Sequence, residues 1–140
     1  MQLCASAPLI PLSLITELMK LQTLTPMLRT WDLKGSVNFY TSLLGFTTEG
    51  ASEEWSWASL RRDDVTIMLA GPNQHVGDES PAFTGSLYFK TDDVEDLWER
   101  VKDRARVCYP IESFDYGMRE FAIYDNNGYL LQFGQELKSE

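Results

Sequence analysis

The sequence predicts an α+β protein built from two similar βαβββ modules placed side by side. The first observation is that the order of strand and helix signals in residues 22–71 recurs in residues 84–137. The second is that the two halves can be put in register, since Thr30-Trp31-Asp32 matches Thr91-Asp92-Asp93. A chain of 140 residues, of which 44% are hydrophobic, is long enough for one domain with a buried core.

The first module begins with a strand and a helix. Leu24–Thr30 is predicted as a strand, and its Pro26 indicates a sheet edge or the start of the strand. Asp32 is a good N-cap for a helix that runs to about Leu44, where Gly45 ends it. Three further strands are predicted at about Phe46–Gly50, Glu54–Arg61 and Val65–Ala70.

The second module repeats this order after a polar linker. Residues 71–81, GPNQHVGDESP, are rich in turn-forming residues and are predicted to join the modules. Gly85–Thr91 is predicted as a strand, and Asp92 or Asp93 as the N-cap of the helix that follows. The segment from Asp125 to Gly128 is predicted as a tight turn and nothing more. The remaining strands are predicted at about Arg106–Pro110, Arg119–Tyr124 and Tyr129–Gly134.

Residues 1–21 precede the first module and are predicted as an N-terminal extension to a single domain of residues 22–137. The stretch ASAPLIPLSLI lacks the basic residues of a signal peptide, and its prolines interrupt an apolar run too short to span a membrane. Within the extension, LSLITELMKL has the pattern of a short helix that could lie on the domain.

Charge and cysteine content narrow the functional classes. The net charge of −9 and the pI near 4.5 argue against a nucleic-acid partner, which requires a basic face, and leave cationic ligands open. Cys4 and Cys108 are the only cysteines, and they form neither a disulfide framework nor a zinc motif. A reducing cytoplasm is therefore the expected compartment.

Two segments carry a resemblance to a known family. The segment MLRTWDLKGSVNFYTSLLGF, residues 27–46, resembles the first module of the vicinal oxygen chelate superfamily, which includes glyoxalase I, extradiol dioxygenases and bleomycin-resistance proteins. The segment YGMREFAIYDNNGYLLQFG, residues 116–134, resembles the end of its second module. The resemblance implies a curved, cup-like mixed sheet with the helices outside.

The resemblance also implies where a metal ion would be bound. Metal-dependent members carry His and Glu ligands on the first and last strand of each module, and these positions correspond to Thr25, Met68, Ser86 and Gln132 here. Neutral hydroxyls, a thioether and one amide are poor ligands for the divalent ions of such sites. The single histidine, His75, lies in the linker. We therefore expect no metal ion and no other cofactor, and we assign no catalytic residue.

Strand alternation predicts which side chains line the cup, because every second residue of a strand faces the same side. On this basis Gln132 faces inward while Leu131 and Phe133 face the helices. The candidate ligand-binding residues are Thr25, Met27, Trp57, Met68, Ser86, Tyr88, Arg119 and Gln132.

The function that the resemblance implies is metal-free binding of a small molecule, in the manner of drug-sequestering resistance proteins. The expected ligand is aromatic and cationic, and the expected assembly is a homodimer, with no membrane partner. Two alternatives stay open. One is a lyase, isomerase or dioxygenase of the same superfamily, and the other is a structural or regulatory dimer whose cup is filled by its own side chains.

Overall fold

The computed structural model describes residues 6–9, 11–12, 21–74 and 79–139. These residues form two four-stranded mixed sheets, each with a helix packed on one face. The predicted α+β fold of two βαβββ modules is confirmed. None of the helices in these ranges is long and apolar enough to cross a membrane.

The first module is a sheet in the order β1-β4-β3-β2 covered by one helix. Strand β1 runs parallel to β4, and the other neighbours are antiparallel. Asp32 caps the helix, since its side chain accepts a hydrogen bond of 2.8 Å from the amide of Gly35. The elements are β1 (Met27–Arg29), α1 (Leu33–Asn38) with a π-helical turn (Phe39–Leu43), β2 (Thr47–Ser52), β3 (Trp57–Arg62) and β4 (Val65–Ala70).

The second module repeats this topology with the strand order β5-β8-β7-β6. Strands β5 and β8 are parallel, as are β1 and β4 in the first module. Of the two predicted N-cap residues, Asp93 is the one whose side chain accepts from a helix amide, that of Asp96 at 3.1 Å. The elements are β5 (Ser86–Lys90), α2 (Val94–Val101), β6 (Arg106–Phe114), β7 (Met118–Tyr124) and β8 (Leu130–Glu136).

Three predicted strands differ from the observed ones by three residues or more at one end. Strand β1 begins only at Met27, because the preceding proline has no amide hydrogen to donate to a neighbour. Strand β3 begins at Trp57 and not at Glu54, since the chain turns through Ser56, whose φ of 48° is left-handed. Trp55 therefore lies in a turn. Strand β6 continues past the expected end to Phe114, through two irregularities in its pairing with β7.

The hydrophobic core lies between each sheet and its own helix. In the first module Leu60 and Ile67 are fully buried against the helix, whereas Met68, one residue along, is only half-buried on the other face. In the second module Phe121 packs against Trp98 of α2, with 5.2 Å between the ring centroids. Each sheet thus has a helix-covered face and an opposite face, which we call its open face.

The turn between β7 and β8 joins the two modules, so the expectation that it serves only as a turn is wrong. Asp125 accepts a hydrogen bond of 2.7 Å from the hydroxyl of Tyr40, which follows α1 in the first module. The hydroxyl of Tyr129 donates to the carbonyl of Arg29 at 2.8 Å. These contacts fix the β7–β8 turn against the end of β1 and the π-helical turn that follows α1.

Two expectations from the sequence fall outside the described residues. His75 belongs to residues 75–78 of the linker, and most of the segment LSLITELMKL lies in residues 13–20. The division into an extension of residues 1–21 and a domain of residues 22–137 stays a proposal.

Candidate functional site

A continuous chain of hydrogen bonds crosses the open face of the second sheet. It begins at Ser86 on β5, whose hydroxyl donates to the amide oxygen of Gln132 on β8. The amide nitrogen of Gln132 donates to the hydroxyl oxygen of Tyr109 on β6 at 2.9 Å. The hydroxyl of Tyr109 in turn donates to the carboxylate of Glu120 on β7 at 3.2 Å. All four strands of the sheet therefore contribute to one polar network.

The network ends at a buried carboxylate held by three phenols. Glu120 is only 4% exposed, and its Oε2 atom accepts a hydrogen bond of 2.6 Å from the hydroxyl of Tyr88. Its Oε1 atom accepts from Tyr109 and from Tyr116, which lies in the turn between β6 and β7. No ion pair within residues 21–74 and 79–139 includes Glu120. Among the described residues, hydrogen bonds and not a cation therefore compensate the burial of this charge.

Burial and the carboxylate together raise the pKa values of the three phenols. The hydrogen bond to Glu120, followed by burial, raises the pKa of Tyr116 to about 12. Burial, followed by the hydrogen bond to the same carboxylate, raises the pKa of Tyr88. Burial also raises the pKa of Tyr109. At neutral pH all three phenols are therefore donors to Glu120, which fixes the direction of every hydrogen bond in the cluster.

Aromatic rings surround the carboxylate and remain open to solvent. The ring of Phe114 stacks on that of Tyr116, with centroids 5.2 Å apart and planes inclined by 12°, and meets Tyr109 edge-on. Tyr116 is 64% exposed and Tyr88 is 42% exposed. A flat ring or a cation could therefore contact these aromatic faces while lying close to the Glu120 charge.

Gly134 makes the central contact possible. It lies on β8, paired with Glu120 on one side and with Lys90 on the other. A Cβ atom at this position would overlap the hydroxyl oxygen of Tyr88 and lie 2.8 Å from its Cζ atom. Only glycine leaves room for the Tyr88 side chain to cross β8 toward the carboxylate.

The candidate residues on the open face of the first sheet are mainly apolar. Met27 on β1 pairs with Met68 on β4, and Met27 is 52% exposed. Trp57 is half-buried at the start of β3, paired with Ala70. Thr25 precedes β1 and is half-buried. The candidate residues thus form two groups, one on each sheet, and only the second-sheet group is joined by hydrogen bonds among its own side chains.

Arg119 is the one candidate residue that the structure turns to the other side of its sheet. Its guanidinium donates to the carboxylate of Glu95 on α2 and to the hydroxyl of Ser113. Its neighbour Glu120 takes the open face instead. The signal in the sequence was a glutamate on a predicted strand whose same-face neighbours, Met118 and Ala122, are apolar.

The four positions at which the superfamily places metal ligands do not fit a divalent ion. Ser86 and Gln132 are neutral and bind each other, and Thr25 and Met68 offer a hydroxyl and a thioether. In the part of the chain that the structure describes, no three His, Cys, Asp or Glu residues converge as a ligand group.

The paired βαβββ modules define a class of proteins. The model of the Glyoxalase/Bleomycin resistance protein/Dioxygenase superfamily matches residues 21–133. The chain belongs to this superfamily, as the resemblance of its two segments predicted.

The named relatives of the chain are bleomycin resistance proteins. The chain is 27% identical over 130 residues to a bleomycin resistance protein of Geobacillus stearothermophilus, covering 81% of this chain and 96% of that protein. The same figures hold for a bleomycin resistance protein of Staphylococcus aureus. These two are distant relatives of the chain across nearly their whole length.

Solved structures share the fold. A glyoxalase/bleomycin resistance protein/dioxygenase from Nocardioides superposes with a TM-score of 0.70 at 19% identity, covering 91% of each chain. A lactoylglutathione lyase from Agrobacterium tumefaciens superposes with a TM-score of 0.66 at 17% identity, covering 81% of this chain and 92% of its own. At this identity the likeness concerns the fold alone.

Proposed function

We propose that the protein binds a small, partly aromatic cation on the open face of the second sheet, without a metal ion. The observation that carries the proposal is the buried carboxylate of Glu120, which faces an open surface and has no cationic partner among the described residues. Three phenols stabilise its charge but do not neutralise it. A bound cation would add the missing positive charge beside a carboxylate that is itself buried.

The surroundings of Glu120 support an aromatic ligand. Phe114 and Tyr116 form a stacked pair whose outer ring is exposed, and Tyr88 exposes a second ring beside the same carboxylate. Aromatic faces attract both flat rings and cations, so the two recognition elements act on the same ligand. The net charge of −9 also favours the approach of a cation.

The distant relatives support drug binding as the biological context. Both named relatives are bleomycin resistance proteins, and we extend that role to this chain as part of the proposal. Metal-free binding is supported by the neutral residues at the superfamily's ligand positions, among which Ser86 and Gln132 are hydrogen-bonded to each other.

The assembly and compartment belong to the same proposal. Met27 and Tyr88 leave apolar surface exposed on the two open faces, which favours pairing with a second copy of the chain. We therefore expect a homodimer. Cys108 is an exposed free thiol, which favours a reducing cytoplasm.

An enzyme of the same superfamily remains the second candidate, and Glu120 is the reason. A carboxylate within a chain of hydroxyl donors could accept a proton from a bound substrate. The two functions differ in what happens to the ligand. Binding alone returns bleomycin unchanged from the complex, whereas catalysis would give a product of different mass.

Calorimetric titration of the purified full chain with bleomycin tests the proposal. After treatment with a chelator, we expect saturable binding whose affinity does not change when Zn²⁺ or Mn²⁺ is added back to the protein. Mass spectrometry of the released bleomycin should show no change. Binding that appears only with added metal would contradict the metal-free proposal, and a flat titration would contradict bleomycin binding.

A further inference from the structure

We propose that the protein has a second binding site, for a small aromatic ammonium ion, in a cavity where the two modules meet. This site is separate from the open face and does not depend on the function proposed above. The cavity measures about 300 Å³ and lies between the turn that joins β3 to β4 and the start of α2.

The module repeat explains why a cavity exists at this place. Among the described residues the two modules meet at two junctions, each between the helical segment of one module and the last turn of the other module. At the first junction Asp125, Tyr40 and Tyr129 fill the space, and all three are buried. At the second junction the corresponding elements are the start of α2 and the β3–β4 turn, which line the cavity.

Smaller residues occupy the matching positions at the second junction. Met68 on β4 pairs with Met27, and Gln132 on β8 pairs with Tyr88, which is the residue equivalent to Met27 in the second module. Met68 and Gln132 are therefore equivalent positions. Val65 lies three residues before Met68, and Tyr129 lies three residues before Gln132, so Val65 on β4 corresponds to Tyr129. The register that matches Thr30 with Thr91 likewise matches Tyr40 of the first module with Val101 at the end of α2.

The turn at the second junction is also shorter. Only Asp63 and Asp64 separate β3 from β4, whereas residues 125–129 separate β7 from β8. The combination of a shorter turn and Val65 in place of Tyr129 removes side chains that fill the first junction. The space they would take remains as the cavity.

The inner wall of the cavity suits an aromatic group. Leu44, Phe46, Leu97 and Phe133 are buried side chains that line it. Phe89, which also lines it, stacks on Phe133 with 5.0 Å between the ring centroids. A volume of about 300 Å³ is at the lower end for ligand sites, so it fits a single ring with a short chain.

The rim of the cavity has an excess of negative charge. Its three basic residues already have partners, since Arg62 lies 3.7 Å from Asp63 and donates to the carbonyl of Leu44, and Lys90 and Arg100 form ion pairs. Among the rim residues that the structure describes, the exposed carboxylates with no ion pair are Asp64, Asp92 and Asp93. This arrangement favours an ammonium group at the mouth and an aromatic ring inside.

Amide NMR of the full ¹⁵N-labelled chain tests this assignment with three probes of similar shape. The probes are 2-phenylethylammonium, neutral 2-phenylethanol and anionic 3-phenylpropanoate. We expect saturable shifts at the amides of Val65, Phe89 and Leu97, with the ammonium binding about two- to fivefold tighter than the alcohol and the carboxylate weakest. Equal affinities, or no saturable shift at these amides, would overturn the proposal.

Two variants locate the site. Val65→Tyr places the side chain of the filled junction at the matching position, and because Val65 is 36% exposed the fold should accept it. We expect this variant to lose the shifts, whereas Tyr116→Phe, which alters the open face alone, should keep them. Asp64→Asn should reduce the preference for the ammonium over the alcohol. Unchanged binding by Val65→Tyr, or loss in Tyr116→Phe, would contradict the assignment.

Discussion

Tyr88 and Glu120 lie on strands that do not pair with each other, yet a hydrogen bond of 2.6 Å joins their side chains. Strand β8 runs between them, so the tyrosine crosses a whole strand to reach the carboxylate. The crossing takes place above Gly134. The long side chain, the glycine and the buried charge therefore form one unit, and each of the three should be sensitive to changes in the others.

Replacing Gly134 with alanine should break this unit. The added methyl group would overlap the hydroxyl of Tyr88, so we expect Gly134→Ala to lower the free energy of unfolding by about 1–3 kcal/mol. Urea denaturation measures the change. The double variant with Tyr88→Ala removes the overlapping side chain, so its loss should be smaller than the sum of the two single losses. Additive losses would show that Tyr88 does not occupy this position.

Removing the Asp125 carboxylate should weaken the module junction. Asp125→Ala leaves the hydroxyl of Tyr40 and the amides of Asn127 and Tyr129 without their acceptor, so we expect a loss of about 2–4 kcal/mol in the free energy of unfolding. Asp125→Asn, which keeps an acceptor for the amides, should lose less. Equal losses in the two variants would argue that these hydrogen bonds contribute little.

The same residue predicts a pH dependence. Burial raises the pKa of Asp125, so the folded protein holds this proton more tightly than the unfolded chain. Its contribution to stability is therefore present below the ordinary carboxyl pKa and is lost as the pH rises through the raised value. The stability of the wild type relative to Asp125→Asn should fall as the pH increases from about 4 to neutral. A difference that does not change with pH would contradict the raised pKa.

At alkaline pH the phenols around Glu120 should dominate the pH dependence of stability. The pKa of Tyr116 is raised from 10.0 to about 12, so its contribution to stability is complete below pH 10 and is lost as the pH rises toward 12. Denaturation curves of the wild type and of Tyr116→Phe should therefore converge over this range. Phenolate absorbance offers a second measurement, in which Tyr116→Phe should remove one late-titrating group. A Tyr116 that titrates near 10.0 in the folded protein would contradict the contact with Glu120.

The fold could be predicted from the sequence because its signals are local and occur twice. The caps at Asp32 and Asp93, the apolar alternation of β4 and the repeated element order each depend on neighbouring residues. The bounds of β3 were less predictable, because the left-handed turn falls on Ser56, and a serine seldom adopts a positive φ.

The candidate site was only partly predictable. Ser86, Tyr88 and Gln132 could be placed on the open face from strand alternation alone. Glu120 was missed because its partners come from three separate elements, and one of them, Tyr116, lies in the turn between β6 and β7. Such convergence depends on the register between strands, which the sequence does not display.

The affinity of the protein for bleomycin, measured with Glu120→Gln beside the wild type, tests the central claim most directly. The substitution keeps the shape of the side chain and removes its charge, and Glu99→Gln on the exposed side of α2 makes the same change in net charge away from the site. In chelator-treated samples, we predict that Glu120→Gln weakens binding about 10-fold or more, as expected for the loss of a charged partner, while Glu99→Gln binds like the wild type. Equal binding by Glu120→Gln and the wild type would contradict the account.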